Sequence, residues 1–292
     1  MTPLTVSEIP IMFTPKIGTT RQANRDSRNG KRDDAWKELV RIGGGWVSDY
    51  VRALPRHRAR IVRWQAESGA KVFLLDNPWF LKKIGSHRYF IPPDQSWRWR
   101  RRIASLVSHA QKWLDAGVTP ECICWNDESY FITDRNRHDI WRRNTELALA
   151  IDAILPDTIQ HTYNCRMIRD GKIFPKVSPL TPGPNGVSMY RTTIGRNSVN
   201  LDDTIYAWRA LGMHTWPWVQ LHSVRRDNHW VRPYGPGFFW RMGAMISEAK
   251  CPRIIINEAH LLTETGENQW VVDNLAALIR GLNGDDRSEK DK

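Results

Sequence analysis

Two short apolar runs in this 292-residue chain break off in amide and acid side chains: Cys122-Ile-Cys-Trp-Asn-Asp-Glu128 and, far downstream, Arg253-Ile-Ile-Ile-Asn-Glu258. Short runs rich in β-branched and other apolar residues, flanked by helical patterns, read as buried strands. A carboxylate at the C-terminal end of such a strand stands where parallel α/β folds open their ligand crevice, so it reads as chemistry before stability. Side chains alternate along a strand, which puts Asn126 and Glu128 on one side and Asp127 on the other; in the later run Ile254, Ile256 and Glu258 share a side, with Asn257 opposite. Two glutamates facing each other across a cleft can divide acid and base work. One carboxyl keeps its proton and gives it to a leaving oxygen, while the other attacks the reacting carbon or activates water, as hydrolysis of a glycosidic bond requires. Taken singly, either glutamate is read more simply as a helix cap or an arginine partner; two matched tips favour chemistry.

The elements that must position these tips are legible from periodicity. Strands are expected at Ile9–Thr14, Trp46–Tyr50, Lys71–Asp76, Cys122–Glu128, Thr158–Tyr163, Val187–Tyr190, His214–His222 and Arg253–Glu258. Helical spacing of apolar residues falls between them: Asp33–Ile42, Pro55–Gly69, Trp97–Ala116, Asp139–Leu155, Leu201–Leu211, Phe238–Ala249, and a last helix from Trp270 to Leu282. Strands alternating with helices imply parallel βαβ units, and eight of them in this length predict an α/β fold, a (β/α)₈ TIM barrel. Pro217 strains the pattern, because it removes a ladder donor from the seventh strand. No mid-chain linker or repeat breaks the sequence, so residues 1–282 are expected to form a single barrel domain, and the polar stretch 283–292 a disordered tail.

With the strand-four tip Trp125-Asn-Asp-Glu128 and the late Asn257-Glu258 tip, the chain resembles the (β/α)₈-barrel glycoside hydrolases, especially the clan with an acid/base glutamate after asparagine on strand four and a nucleophilic glutamate on a late strand. That resemblance implies Glu128 as acid/base, Glu258 as nucleophile and Asn126 as partner of a substrate hydroxyl, with retention of configuration. The sequence departs from the clan in two places: Asp127 stands between Asn126 and Glu128, and Glu258 ends the eighth strand where the clan uses the seventh.

Fifteen tryptophans are the compositional outlier. Trp46, Trp79, Trp125, Trp216, Trp218 and Trp230 fall at or near expected strand ends, where flat rings could carry sugar rings, although each by itself is more simply a core residue. Asp76, Tyr163, Tyr190 and His222 lie near the same rim and could bond substrate hydroxyls. The substrate-binding set is therefore Asn126, Asp76, Trp79, Trp125, Tyr163, Tyr190, Trp216, Trp218, His222 and Trp230. No metal and no cofactor is implied. His161, His214, His222 and His260 are scattered singly, and a metal-dependent hydrolase assembled from them with Asp76 is the weakest alternative. Four cysteines lacking CxxC spacing read as buried thiols.

The chain carries a formal net charge of +12. Trp97-Arg-Trp-Arg-Arg-Arg102 and Arg52, Arg56, Arg58, Arg60 and Arg63 concentrate it, and cations in the first turn of a helix oppose its dipole. The expected partner is an oligo- or polysaccharide, anionic glycans included. The rival reading is a non-catalytic basic barrel that binds nucleic acid or another polyanion. No apolar run is long enough to span a bilayer, and no secretory signal is legible, so the protein is expected to be cytoplasmic, exported by another route, or represented here without its leader.

Overall fold

The computed structural model describes residues 5–13, 33–75, 81–84, 87–90, 96–125, 137–164, 168–169, 172–173, 184–191, 214–219, 221, 225–226, 229–230, 234–256 and 269–286. Eight strands form one sheet: β1 (Ile11–Phe13), β2 (Trp46–Tyr50), β3 (Lys71–Leu75), β4 (Cys122–Trp125), β5 (Ile159–Asn164), β6 (Pro184–Arg191), β7 (His214–Val219) and β8 (Ile254–Ile256). From β2 to β8 each strand pairs with the next in the chain, β8 returns to pair with β1, and every one of these pairings is parallel. The ring closes between β1 and β2, where the Ser48 hydroxyl donates to the Phe13 carbonyl. This is a TIM barrel, and all eight expected strands are in it.

Alternation along the strands divides the apolar residues into two cores. Met12, Trp46, Phe73, Leu75, Cys122, Cys124, Trp216, Trp218 and Ile255 pack together inside the barrel. Ile11, Phe13, Val47, Val72, Leu74, Ile123, Val219, Ile254 and Ile256 instead pack against the helices. A parallel strand covered on both faces reads as a continuous apolar run, as β3 and β8 do. The helices are α1 (Asp33–Ile42), α2 (Pro55–Ser68), α3 (Ser96–Leu114), α4 (Arg137–Asp152), α5 (Pro236–Glu248) and α6 (Gln269–Leu282). Proline at the start of α2 fits a position whose N–H needs no helical partner, and Gly69 ends that helix at φ 65°, a left-handed value open to glycine. The helix expected at Leu201–Leu211 lies outside the described residues.

The floor of the barrel, at the N-terminal ends of the strands, carries a cation between aromatic rings. Arg253, just before β8, lies 4.9 Å from the ring centroid of Trp46 and 4.6 Å from that of Trp216; Lys71 approaches Trp46 from elsewhere at 5.6 Å. Burial pulls the Arg253 guanidinium below its ordinary pKa, and ring faces offer it a partner that costs little desolvation. Burial likewise pushes the Cys122 thiol well up, which leaves it a poor nucleophile. Cys122, Cys124 and Cys251 are buried thiols, as expected; Cys165 lies outside the described residues.

Pro217 is accommodated by a local gap in the ladder. β7 pairs with β6 along its whole length but meets β8 only at Trp218 and Val219, so the position on β7 that would face Ile254 is the one with no N–H to give. Order also extends past Leu282. Asn283 donates to the Val6 carbonyl at 3.0 Å and accepts the Glu8 N–H at 2.8 Å, tying the two ends of the fold together; Trp240 donates to the Asp285 carbonyl at 3.0 Å. Of the tail expected to be disordered, residues 283–286 are thus held, and 287–292 lie outside the described residues.

Asp49 occupies a buried position of β2, 2% exposed, and accepts the Tyr50 N–H at 2.7 Å. Burial pushes its pKa up to about 6, against the pull of that N–H and of the Arg60 charge. The folded value lies above the unfolded one, so the stability this group contributes is full below roughly pH 4 and is lost as pH rises through about 6. Asp49→Asn keeps an acceptor and cannot ionise. We therefore expect its Tm relative to the parent to rise between about pH 4.5 and about pH 7.5, by the equivalent of roughly 1–3 kcal/mol. Thermal denaturation at both pH values measures this, and an unchanging gap would show that burial of the charge is not what the fold tolerates at Asp49.

Candidate active site

β4 and β8 stand four steps apart in either direction around an eight-membered ring, so their C-terminal ends lie on opposite sides of the barrel mouth. Asn126 follows the last residue of β4 directly, and Asn257 follows the last residue of β8. Asn126, Glu128, Glu258, Asp76, Trp79 and His222 lie outside the described residues. The strands that lead into them carry the geometric information.

On β4, Cys122 and Cys124 belong to the inner core and Ile123 to the outer one. Counting on in twos from Cys124 gives Asn126 and Glu128 the sequence parity of the inner residues. On β8 the result differs from expectation. Ile255 is the inner residue, while Ile254 and Ile256 pack on the helical side. Glu258 shares the parity of the outer pair, and Asn257 that of Ile255. Alternation therefore does not aim Glu258 at the axis.

The tryptophans expected as platforms need correction. Trp216 and Trp218 are 2% and 4% exposed and pack inside the barrel, because the two-residue spacing on a central strand places both on its inner side. Trp218, pairing with Ile255, forms part of the interior beneath the mouth. Trp46 begins β2 and therefore sits at the floor, the wrong end for substrate. The strand register groups other expected residues: Tyr163 pairs with Ser188, which pairs with Trp216, and Tyr190 pairs with Trp218 in the row that continues through Ile255 to Met12. Trp125, the last residue of β4, pairs with Thr162.

Three antiparallel hairpins were not anticipated. Leu81–Ile84 pairs with His87–Phe90, Ile168–Arg169 with Lys172–Ile173, and Arg225–Arg226 with His229–Trp230. They follow β3, β5 and β7, so each leaves from the mouth end of its strand. Each is closed by two residues, Gly85-Ser86, Asp170-Gly171 and Asp227-Asn228, the kind of pair that favours tight hairpin turns; this was the available signal. Trp230, an expected substrate-binding residue, lies on the third hairpin and pairs with Arg225. Among the described residues, no group of three or more His, Cys, Asp or Glu side chains is placed to hold a metal ion, and no helix is long and apolar enough to cross a membrane.

The fold defines the class of protein as a (β/α)₈ barrel with a mouth elaborated by hairpins. No family model matches the sequence, and none of the curated proteins does. Solved structures do match in fold. The spore cortex-lytic enzyme SleL of Bacillus megaterium QM B1551 is similar at a TM-score of 0.54 and 8% identity, over 94% of this chain and 75% of that one. The glycoside hydrolase domain of PelA from Pseudomonas aeruginosa is similar at 0.50 and 13%, over 89% and 98%. Dihydrodipicolinate synthase from Agrobacterium tumefaciens is similar at 0.50 and 10%, over 94% and 78%. At such identities the likeness shows the barrel and leaves the chemistry to the residues at its mouth.

Proposed function

We propose that this protein is a glycoside hydrolase that cleaves O-glycosidic bonds of a polysaccharide or cell-wall glycan, with Glu128 as general acid/base and Glu258 as nucleophile. The observation that carries the reading is that β4 and β8, after which the sequence runs on as Asn-Asp-Glu and Asn-Glu, lie diametrically opposed in the ring, so both acidic segments depart from the same end of the barrel. A sugar bond held between two carboxyl groups needs acids that reach it from two sides. Asn126, on the inner parity of β4 with Glu128, is assigned to a substrate hydroxyl, and the rows through Tyr163 and Tyr190 supply further polar positions. Glycoside hydrolases occur among the structural neighbours, which is consistent with this reading, although the synthase neighbour has the same barrel.

The test is a panel of neutral and anionic polysaccharides assayed with the parent, Glu128→Gln and Glu258→Gln. Cleavage by the parent with loss in both variants supports the assignment. Full activity in both variants would sink it, and loss only in Glu128→Gln would return Glu258 to the helical side to which its parity points.

A further inference from the structure

The hairpins at the mouth carry a charge pattern that the acid/base chemistry does not need. Their paired residues include Lys82, Lys83, Arg88, Arg169, Lys172, Arg225 and Arg226, seven cations against two acids, Asp170 and Asp227, in the residues that close the hairpins, in a chain with 43 basic and 31 acidic residues. The register sets like charges directly opposite one another: Lys83 against Arg88, and Arg169 against Lys172. Direct cross-strand pairs of one sign destabilise a hairpin, and these hairpins are too short to offset it with an apolar face. A second cationic group lies on elements that meet the same end of the barrel. Arg52 follows β2, and Arg98 and Arg102 lie in the first turns of α3, a 19-residue helix without a single acid. The three are close enough that Arg52 and Arg98, after burial, depress the Arg102 pKa. Trp113 ties α3 to the same corner by donating to the Val51 carbonyl at 3.0 Å, with Arg58 over its ring at 5.9 Å.

We propose that these groups form a cationic collar around the barrel mouth, and that the glycan the protein acts on is polyanionic, carrying a carboxylate or phosphate at repeating positions. The hairpins follow alternate strands, β3, β5 and β7, so a chain entering the mouth would meet positive charge from several directions, and a cluster of like charges is stabilised when an anion lies within it. A glycan fits better than a nucleic acid. In the run from Trp97 to Arg102 one ring is available: Trp97 is 55% exposed, whereas Trp99 is buried and donates to Glu146 at 3.0 Å. Binding a nucleic acid strand by stacking needs successive rings.

This inference rests on the reading of the protein as glycan-directed, and its test separates the two. Binding by the full chain carrying Glu128→Gln is measured, at low and physiological salt, to polygalacturonate, a phosphodiester-linked glycan polymer, a neutral β-glucan and single-stranded DNA. One of the two anionic glycans should bind at least ~10-fold tighter than the neutral glucan and weaken as salt rises. The paired substitutions Lys83→Gln with Arg88→Gln, and Arg169→Gln with Lys172→Gln, should each lower that affinity by ~5-fold or more while Tm holds or rises, because they remove a repulsion from the free protein. A merely structural role would move Tm the other way. Equal affinity for the neutral glucan, tighter binding of DNA than of either glycan, or hairpin variants that bind as the parent does would each overturn the collar. A protein that binds anionic glycan and cuts none refutes the hydrolase reading alone; one that cuts neutral glycan at a rate indifferent to the hairpin substitutions refutes the collar alone.

Discussion

Glu128→Gln should lower the rate of glycan cleavage by roughly 10²–10⁴-fold, the range that a positioned general acid supplies, with little change in Tm. The expectation follows from β4. Cys122 and Cys124 are both fully buried in the barrel interior, so the side of this strand that faces the axis is fixed before the chain reaches Asn126 and Glu128. A general acid must keep its proton near neutral pH, and desolvation and a neighbouring like charge are the influences that favour this in a carboxyl group. Glutamine keeps the shape and loses the proton. If Glu258 is the nucleophile, Glu258→Gln should be as damaging, and the product should keep the anomeric configuration of the substrate. NMR of the first-formed sugar distinguishes the cases: carboxyl groups about 5–5.5 Å apart imply retention and about 6.5–9.5 Å imply inversion. A Glu128→Gln protein that cleaves at the parental rate would remove the acid from β4 altogether.

How far the sequence could be read depended on whether its apolar residues alternate. Eight strands and the six described helices were legible because the helices repeat every three to four residues and the strands are short apolar runs between them. The direction of a strand's side chains was legible only where register could be checked. Ile254, Ile255 and Ile256 are equally apolar, as suits a parallel strand covered on both faces, and nothing in three isoleucines says which one points inward; pairing with β7 and β1 decides it, and it decides for Ile255. The expected aim of Glu258 was lost at that step. Trp46, Trp216 and Trp218 were ambiguous for a related reason: a large ring near a strand end is as good a plug as a platform, and Trp216 plugs the barrel against Arg253. The hairpins, with strands of two to four residues, are too short to show a period, and only their turn pairs marked them.

The largest stability effect is expected where no side chain exists. Gly243 on α5 and Gly281 on α6 lie against the opposite helix's backbone: a Cβ added at Gly281 would stand 2.1 Å from the Trp240 carbonyl oxygen and 2.9 Å from the Ala244 nitrogen, and one at Gly243 would stand 2.3 Å from the Leu278 oxygen. Backbone atoms cannot rotate out of the way, so the helices would have to separate, and with them the layer formed by Phe239, Met242, Ile246, Leu275, Leu278 and Leu282. Intrinsic propensity argues the other way, since glycine inside a helix is about 1 kcal/mol worse than alanine. The sign of Gly281→Ala therefore decides between the two effects. We expect destabilisation of about 2–3 kcal/mol for alanine and about 4 kcal/mol for Gly281→Val, with overpacking outweighing propensity. Gly117→Ala serves as the contrast. Its φ is 80° with nothing within 4 Å of the added carbon, so only backbone strain applies, at about 1 kcal/mol. Denaturant unfolding of the three variants measures all of this. A Gly281→Ala protein as stable as the parent would mean that α5 and α6 do not meet through their backbones. Because these two helices flank β8 in the chain, the same result would remove the support that sets the position from which Glu258 departs.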